Sequence, residues 1–188
     1  MASSGNTGAG AAAFRNVMSR FPTGITVVTG MRGGVPIGMS ANSFTSASLD
    51  PPLVLFCAAH TSSTWPEIEE TGAFAVNVLP EGSTELAQRF AQKGTDRFAG
   101  VAYRTGATGS PIMQEALASI DCRIEEAHEA GDHVIVVGSV VDVQQRCSGD
   151  PLVFYRGDYW RLLRPGTSAG PTARSHLKGV DQCKDRPA

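Results

Sequence analysis

His133-Val134-Ile135-Val136-Val137-Gly138-Ser139-Val140-Val141-Asp142-Val143 is β-branched almost throughout and carries one glycine, Gly138, inside the run. Side chains branched at Cβ are stiff and fit a pleated surface, so the run reads as one long strand. A glycine within such a strand marks a bulge or a sharp bend. A long strand that bends lets its sheet curl toward a barrel.

On its N-terminal side, Ile120, Cys122 and Ile124 alternate with Asp121, Arg123 and Glu125, the pattern of a strand with one wet face. Leu152 to Tyr155 and Tyr159 to Leu163 add two short strands downstream. Phe74 to Leu79 is another, and the continuous apolar run Leu53 to Cys57 reads as a strand covered on both faces. Ile25 to Thr29 and Val35 to Ser40 flank Gly33-Gly34, which predicts a hairpin. Seven or eight strands result, and they predict a mostly β chain with a small, mostly antiparallel closed sheet.

Helical signals are few. Phe14, Val17, Met18 and Phe21 recur at helical spacing ahead of Pro22, a stop. Thr64-Trp65-Pro66-Glu67 fits a capping box opening a helix that ends near Gly72. Ser83 to Lys93 carries Leu86 and Phe90 on one face and ends at Gly94. Residues 94–117 have little period.

A chain of 188 residues with 41% hydrophobic content is bounded to one domain with a real core. That domain is expected over residues 13–164, between a Gly, Ala and Ser-rich tail at 1–12 and a polar tail at 165–188, both expected to be mobile. With 16 basic and 18 acidic side chains the net charge is -2, and no basic stripe suggests nucleic acid. No apolar run approaches the roughly 20 residues that span a bilayer, and the N-terminus lacks the pattern of a secretion signal, so a soluble, cytoplasmic protein is expected. Cys57, Cys122, Cys147 and Cys183 form no C-x-x-C pair, and His60, His128, His133 and His176 show no metal spacing, so no metal is expected. Cys57 and Cys122 read as strand thiols acting as small hydrophobes. Neither a G-x-G-x-x-G nor a G-x-x-x-x-G-K-[ST] loop is present, so any nicotinamide binds outside the standard dinucleotide fold.

Gly38-Met39-Ser40-Ala41-Asn42-Ser43-Phe44-Thr45-Ser46-Ala47-Ser48-Leu49-Asp50-Pro51-Pro52 is crowded with small, hydrogen-bonding side chains. Such a segment can line a polar ligand or serve as an ordinary Ser/Thr-rich connection. Preceded by Phe21-Pro22-Thr23-Gly24-Ile25-Thr26-Val27-Val28-Thr29 and followed by Pro52-Leu53-Val54-Leu55-Phe56-Cys57, it resembles the flavin reductase-like domain family. The resemblance continues through Ser62-Ser63-Thr64-Trp65, Phe74-Ala75-Val76-Asn77-Val78-Leu79, Asp96-Arg97-Phe98, Gly131-Asp132-His133 and Pro151-Leu152-Val153-Phe154-Tyr155. It spans about residues 14–163, and the order and spacing of the pieces carry it. Within the family, the chain resembles the small reductase components of two-component flavin-dependent monooxygenases, including those of actinomycete antibiotic pathways.

The resemblance implies a split β-barrel of the FMN-binding type, a homodimer with flavin sites near the subunit interface, and NAD(P)H folded over the flavin. It further implies that Ser40, Ala41, Asn42 and Ser43 contact the flavin ring and ribityl chain, with Cys57 at the ring's edge. Ser62, Ser63 and Thr64 would hold phosphate, a role that a helix N-terminus favours independently. The same three residues also read as an N-cap and two turn serines. Many relatives carry a lysine or arginine in this loop, whereas His60-Thr61-Ser62-Ser63 has none, a departure that bears on phosphate affinity and on the choice between FMN and FAD. Phe98 would contact the flavin, His133 would position the nicotinamide, and Tyr155 and Arg156 would meet the dinucleotide; each also reads as a core, surface or rim residue.

The activity implied is hydride transfer from NADH to FAD or FMN, with free reduced flavin passed to a partner monooxygenase. FAD is slightly favoured over FMN. NADPH is also possible, although no basic cluster awaits its extra phosphate. A split-barrel flavoenzyme that retains its flavin, a non-catalytic flavin-binding protein and a barrel without ligand are the alternatives.

Overall fold

The computed structural model describes residues 10–94, 96–145 and 149–162. Cys147, Leu163, His176, Cys183 and all but residues 10–12 of the two expected tails lie outside them. In chain order the elements are α1 (Ala11–Met18), β1 (Thr23–Gly24), β2 (Thr26–Arg32), β3 (Val35–Ala41), β4 (Thr45–Leu49), β5 (Pro52–Ala59), α2 (Trp65–Glu69), β6 (Ala73–Val78), α3 (Thr84–Ala91), β7 (Tyr103–Thr105), β8 (Pro111–Met113), β9 (Ala118–Ala130), β10 (His133–Gln145), β11 (Val153–Tyr155) and β12 (Asp158–Trp160). No helix among them is long and apolar enough to cross a membrane.

The main sheet has seven antiparallel strands in the order β3-β2-β6-β9-β10-β5-β4, accompanied by the small sheets β1-β11-β12 and β7-β8. The fold is mostly β and split-barrel-like, but the expected closed sheet is not formed: β3 and β4 remain its two edges. The described strands also outnumber the seven or eight expected. Those added are β1, β4, β7 and β8, each five residues or shorter. The β2–β3 hairpin turns at Gly33 and Gly34, whose φ values of 56° and 83° suit the tight turn.

Six strands point side chains into one interior. Val28 and Met39 enter from β2 and β3, Phe74 and Val76 from β6, Cys122 from β9, Val134 and Val136 from β10, and Val54, Phe56 and Ala58 from β5. Trp65 and Ile68 of α2 complete it. A second core, holding Ile25, Val27, Leu79, Ala87, Phe90, Met113, Ala116 and Leu152, forms where α3 covers the other face of β2.

Three expectations need correction. Leu53 to Cys57 is not covered on both faces: Val54, Phe56 and Ala58 are buried, whereas Leu53, Leu55, Cys57 and Ala59 are half-buried. The outward side of this strand has no second layer from the described chain. Asp121, placed on a wet face by alternation, is only 2% exposed. The loop before β8 covers that face, and its Thr108 N–H donates to Asp121 Oδ2 at 2.8 Å while the Thr108 hydroxyl donates to Oδ1, offsetting the loss of water. The apolar face of α1 forms as expected, but Phe14, Val17, Met18 and Phe21 are exposed, Val17 by 70%.

Gly138 sits at a register shift in the β9–β10 ladder, as its place in the strand predicts. A Cβ there would lie 2.4 Å from Phe74 Cζ and 2.8 Å from Cε1. Phe74 is fully buried and cannot yield cheaply. Gly138→Ala is therefore expected to cost about 1–3 kcal/mol in urea unfolding. Gly24→Ala, whose Cβ would meet nothing within 4 Å, should stay within about 0.5 kcal/mol. Equal midpoints for the two variants would contradict this account of the bend.

Candidate functional site

Residues paired across an antiparallel ladder share a face. Cys57 pairs with Ile135 and Ala59 with His133, so these four side chains lie together on the half-covered outer face of β5 and β10, continued by Leu55 and Val137. Ser43 is fixed to the same ladder: its hydroxyl donates to the Cys57 carbonyl at 3.2 Å and accepts from the Cys57 N–H at 2.9 Å. The result is a largely apolar surface with a hydroxyl along one side and an imidazole at one end.

His133 opens β10 just after the Gly131-Asp132 turn. Its Nδ1 lies 2.7 Å from Asp132 Oδ1. The imidazole holds the Asp132 carboxyl below the usual carboxylate range, first through this hydrogen bond and then through charge. An ionised carboxylate only accepts, so Nδ1 carries the proton and Nε2 is left for a ligand. His60 reaches the same end of the sheet, with its ring Nε2 3.0 Å from Glu129 Oε2 and its backbone N–H donating to the Asp132 carbonyl.

Residues 60–64 connect this surface to a second feature, a groove of about 300 Å³. Gly38, Ser63, Thr64, Arg97 and Phe98 line it. The expected capping box is not formed. The Ser62 hydroxyl, not that of Thr64, accepts from the N–H groups of Thr64 and Trp65 at 3.3 and 3.1 Å, while Glu67 pairs with Arg32. Thr64 Oγ1 accepts instead from Arg97 Nη1, and Arg97 also donates to the Gly38 carbonyl at 2.7 Å. Phe98 meets Phe90 and Tyr103 edge-on at 5.1 and 5.5 Å, so it belongs to the second core while bordering the groove.

The structure thus brings Ser43, Cys57 and His133 to one surface, and Ser63, Thr64 and Phe98 to one groove. Ser40 and Ala41 point to opposite faces of β3, toward the two different cores, and Asn42 is exposed in the turn that follows. Tyr155 and Arg156 lie on the β11–β12 hairpin, where Tyr155 stacks edge-on with Trp160 and the Arg156 N–H donates to the Ser19 carbonyl. None of these contacts reaches Ser43, Cys57 or His133. Sequence reasoning missed Arg97 and also Lys93, whose Nζ donates to the Thr61 carbonyl at 2.8 Å. Two cations on either side of Gly94 were the available signal, but only the folded chain shows what they face.

Residues 18–163 match the family described as the flavin reductase like domain. The chain is 45% identical over 148 residues to the reductase subunit HsaB of a flavin-dependent monooxygenase from Mycobacterium tuberculosis, covering 78% of this chain and 79% of that one. It is 43% identical over 151 residues to the FMN reductase (NADH) SmoA of Agrobacterium fabrum, covering 80% and 86%. Among solved structures it is similar to the NADH:FAD oxidoreductase SgcE6 of Streptomyces globisporus, in complex with NAD and FAD fragments. That match has a TM-score of 0.77 at 36% identity and covers 83% of this chain and 94% of that one.

The Asp132–His133 contact is open to titration. Because the Asp132 pKa is depressed, the contact's stabilisation is present above the ordinary carboxylate value of about 3.9 and is lost as pH falls through the lower folded value. Carboxyl NMR should give an Asp132 midpoint below that ordinary value, moving up to it in His133→Ala. The same midpoint in both proteins would remove the pairing from the account.

Proposed function

Because the chain belongs to the flavin reductase like domain family, we propose that it is an NADH-dependent flavin reductase. It transfers hydride from NADH to FAD or FMN and supplies free reduced flavin to a partner monooxygenase. The observation that carries this reading is the half-covered outer β5–β10 surface, apolar where a ring would rest and polar where Ser43 and His133 border it.

The residues present fit a flavin and a nicotinamide. Cys57 and Ala59 are small enough to let a ring approach the ladder, and Ser43, held by two bonds to Cys57, offers a fixed hydroxyl. The ring system that accepts hydride is the flavin's own, so the protein's task is alignment, and no acid–base pair or nucleophile is required. His133, held by Asp132, presents Nε2 at the end of the surface to orient the nicotinamide. Ser63, Thr64, Arg97 and Phe98 would take the phosphate-bearing end of the flavin in the groove. Ser40, Ala41 and Asn42 contribute through the backbone that carries Ser43. Tyr155 and Arg156 are assigned to the outer end of the dinucleotide.

FAD is slightly preferred to FMN and NADH to NADPH in this reading, and the reaction belongs to the cytoplasm, where the nicotinamide substrate circulates. The protein works as a homodimer. Support comes from the half-covered β5–β10 surface and the exposed side chains Phe14, Val17, Met18 and Phe21, an apolar area that a second copy would bury.

Loss of NADH absorbance with and without added FAD, FMN or riboflavin tests the proposal, and saturable, flavin-dependent oxidation is expected. His133→Ala should lower kcat/KM for NADH roughly 10- to 100-fold while leaving flavin affinity in place. Flavin binding without turnover by any pair would turn the reading to a flavin-binding protein, and unchanged turnover in His133→Ala would remove the role of His133.

A further inference from the structure

We propose that Lys93, carried on the segment after α3 and seconded by Arg97, anchors the flavin's phosphate and sets a preference for phosphorylated flavins over riboflavin. The inference rests on the flavin reductase reading and assigns a selectivity residue to it.

The 60–64 loop is by itself a poor anion site. It holds no lysine or arginine, and the Ser62 hydroxyl already satisfies the Thr64 and Trp65 N–H groups that a phosphate would seek. The helix behind it, α2, spans only Trp65–Glu69, too short for a strong dipole. Positive charge reaches the loop from elsewhere in the sequence. Past the end of α3, Gly94 adopts φ 75°, and the segment it turns places Lys93 on the Thr61 carbonyl and Arg97 on Thr64 and Gly38. The two cations thus bond the loop on either side of exposed Ser63, Lys93 at Thr61 and Arg97 at Thr64, and Arg97 lines the groove that runs past Gly38 and Phe98.

Donor accounting separates their roles. Arg97 spends Nε and Nη2 on the Gln92 carbonyl and Nη1 on Gly38 and Thr64, which uses four of its five N–H groups. It braces the groove and contributes a fixed charge. Lys93 is exposed and spends one of three donors on Thr61, so its ammonium can turn to an incoming phosphate at little cost. The acidic groups on the groove are already engaged: Glu67 pairs with Arg32 at 3.5 Å, and Asp96 Oδ1 accepts from the Phe98 N–H at 3.1 Å. Their charge still opposes a phosphate, so losing one of the two cations should be felt in binding. Riboflavin, which has no phosphate, should be indifferent to the change.

The test compares wild type, Lys93→Ala and Lys93→Arg with FMN and riboflavin as alternative acceptors, together with equilibrium binding of each flavin followed by its fluorescence. Lys93→Ala should raise the KM and Kd for FMN roughly 10- to 100-fold with kcat little changed, leave riboflavin unaffected, and be largely rescued by arginine. Added salt should weaken FMN binding in wild type more than in Lys93→Ala. Equal loss for both flavins would mean that Lys93 merely props the loop through Thr61, and no change for either would exclude it as an anchor; both results overturn the proposal. Lys93-dependent FMN binding in a protein that oxidises no NADH with any flavin would uphold the anchor and overturn the reductase reading instead.

Discussion

The Phe56 ring meets Trp65 and Phe74 edge-on at centroid distances of 5.7 and 5.2 Å, and the arrangement of the sheet depends on that buried trio. β5 and β6 are separated in the sheet by β10 and β9, which in a flat sheet would hold them roughly 14 Å apart. Contact between Phe56 and Phe74 is possible only if the sheet folds over on itself. Trp65, brought in by α2, packs against Phe56 in the same core. Gly138 belongs to the same constraint, because the Phe74 ring occupies the space that any larger residue there would need.

The candidate site is the reverse side of this wall. When alternate residues of β5 turn Val54, Phe56 and Ala58 inward, Leu55, Cys57 and Ala59 must face out, beside His133 and Ile135 of β10. Their positions are therefore set by the interior packing, and a ligand on the outer surface meets a pre-arranged ladder. The groove is built differently. It depends on Arg97, which ties β3, the start of α2 and the end of α3 together through carbonyl and hydroxyl acceptors.

Much of the fold was legible because its signals are local. The bend at Gly138, the Gly33-Gly34 hairpin, α3, which ends at Ala91 rather than at Lys93, and the strand at Phe74 follow from residue type and spacing. Strands β1, β4, β7 and β8 were not legible, nor was the burial of Asp121, since alternation reports only that a residue faces away from Cys122 and not what covers that face. The cap at α2 failed for a related reason. Thr64 fits the pattern, but Arg97, 33 residues away, claims its hydroxyl, and Ser62 takes the capping bonds. Of the site residues, Ser43, Cys57 and His133 come together, whereas Ser40 and Ala41 could not share a face because neighbours in a strand never do.

By itself the sequence determined the mostly β character, the strand that bends, the family resemblance and the residue types from which a site could be made, because these depend on neighbours along the chain. The tertiary structure alone decided that the sheet stays split, that the outer face of β5 is left half-covered, and that Lys93 and Arg97 supply the charge missing from the 60–64 loop. Each of those rests on contacts between residues far apart in the chain, and no local pattern encodes them.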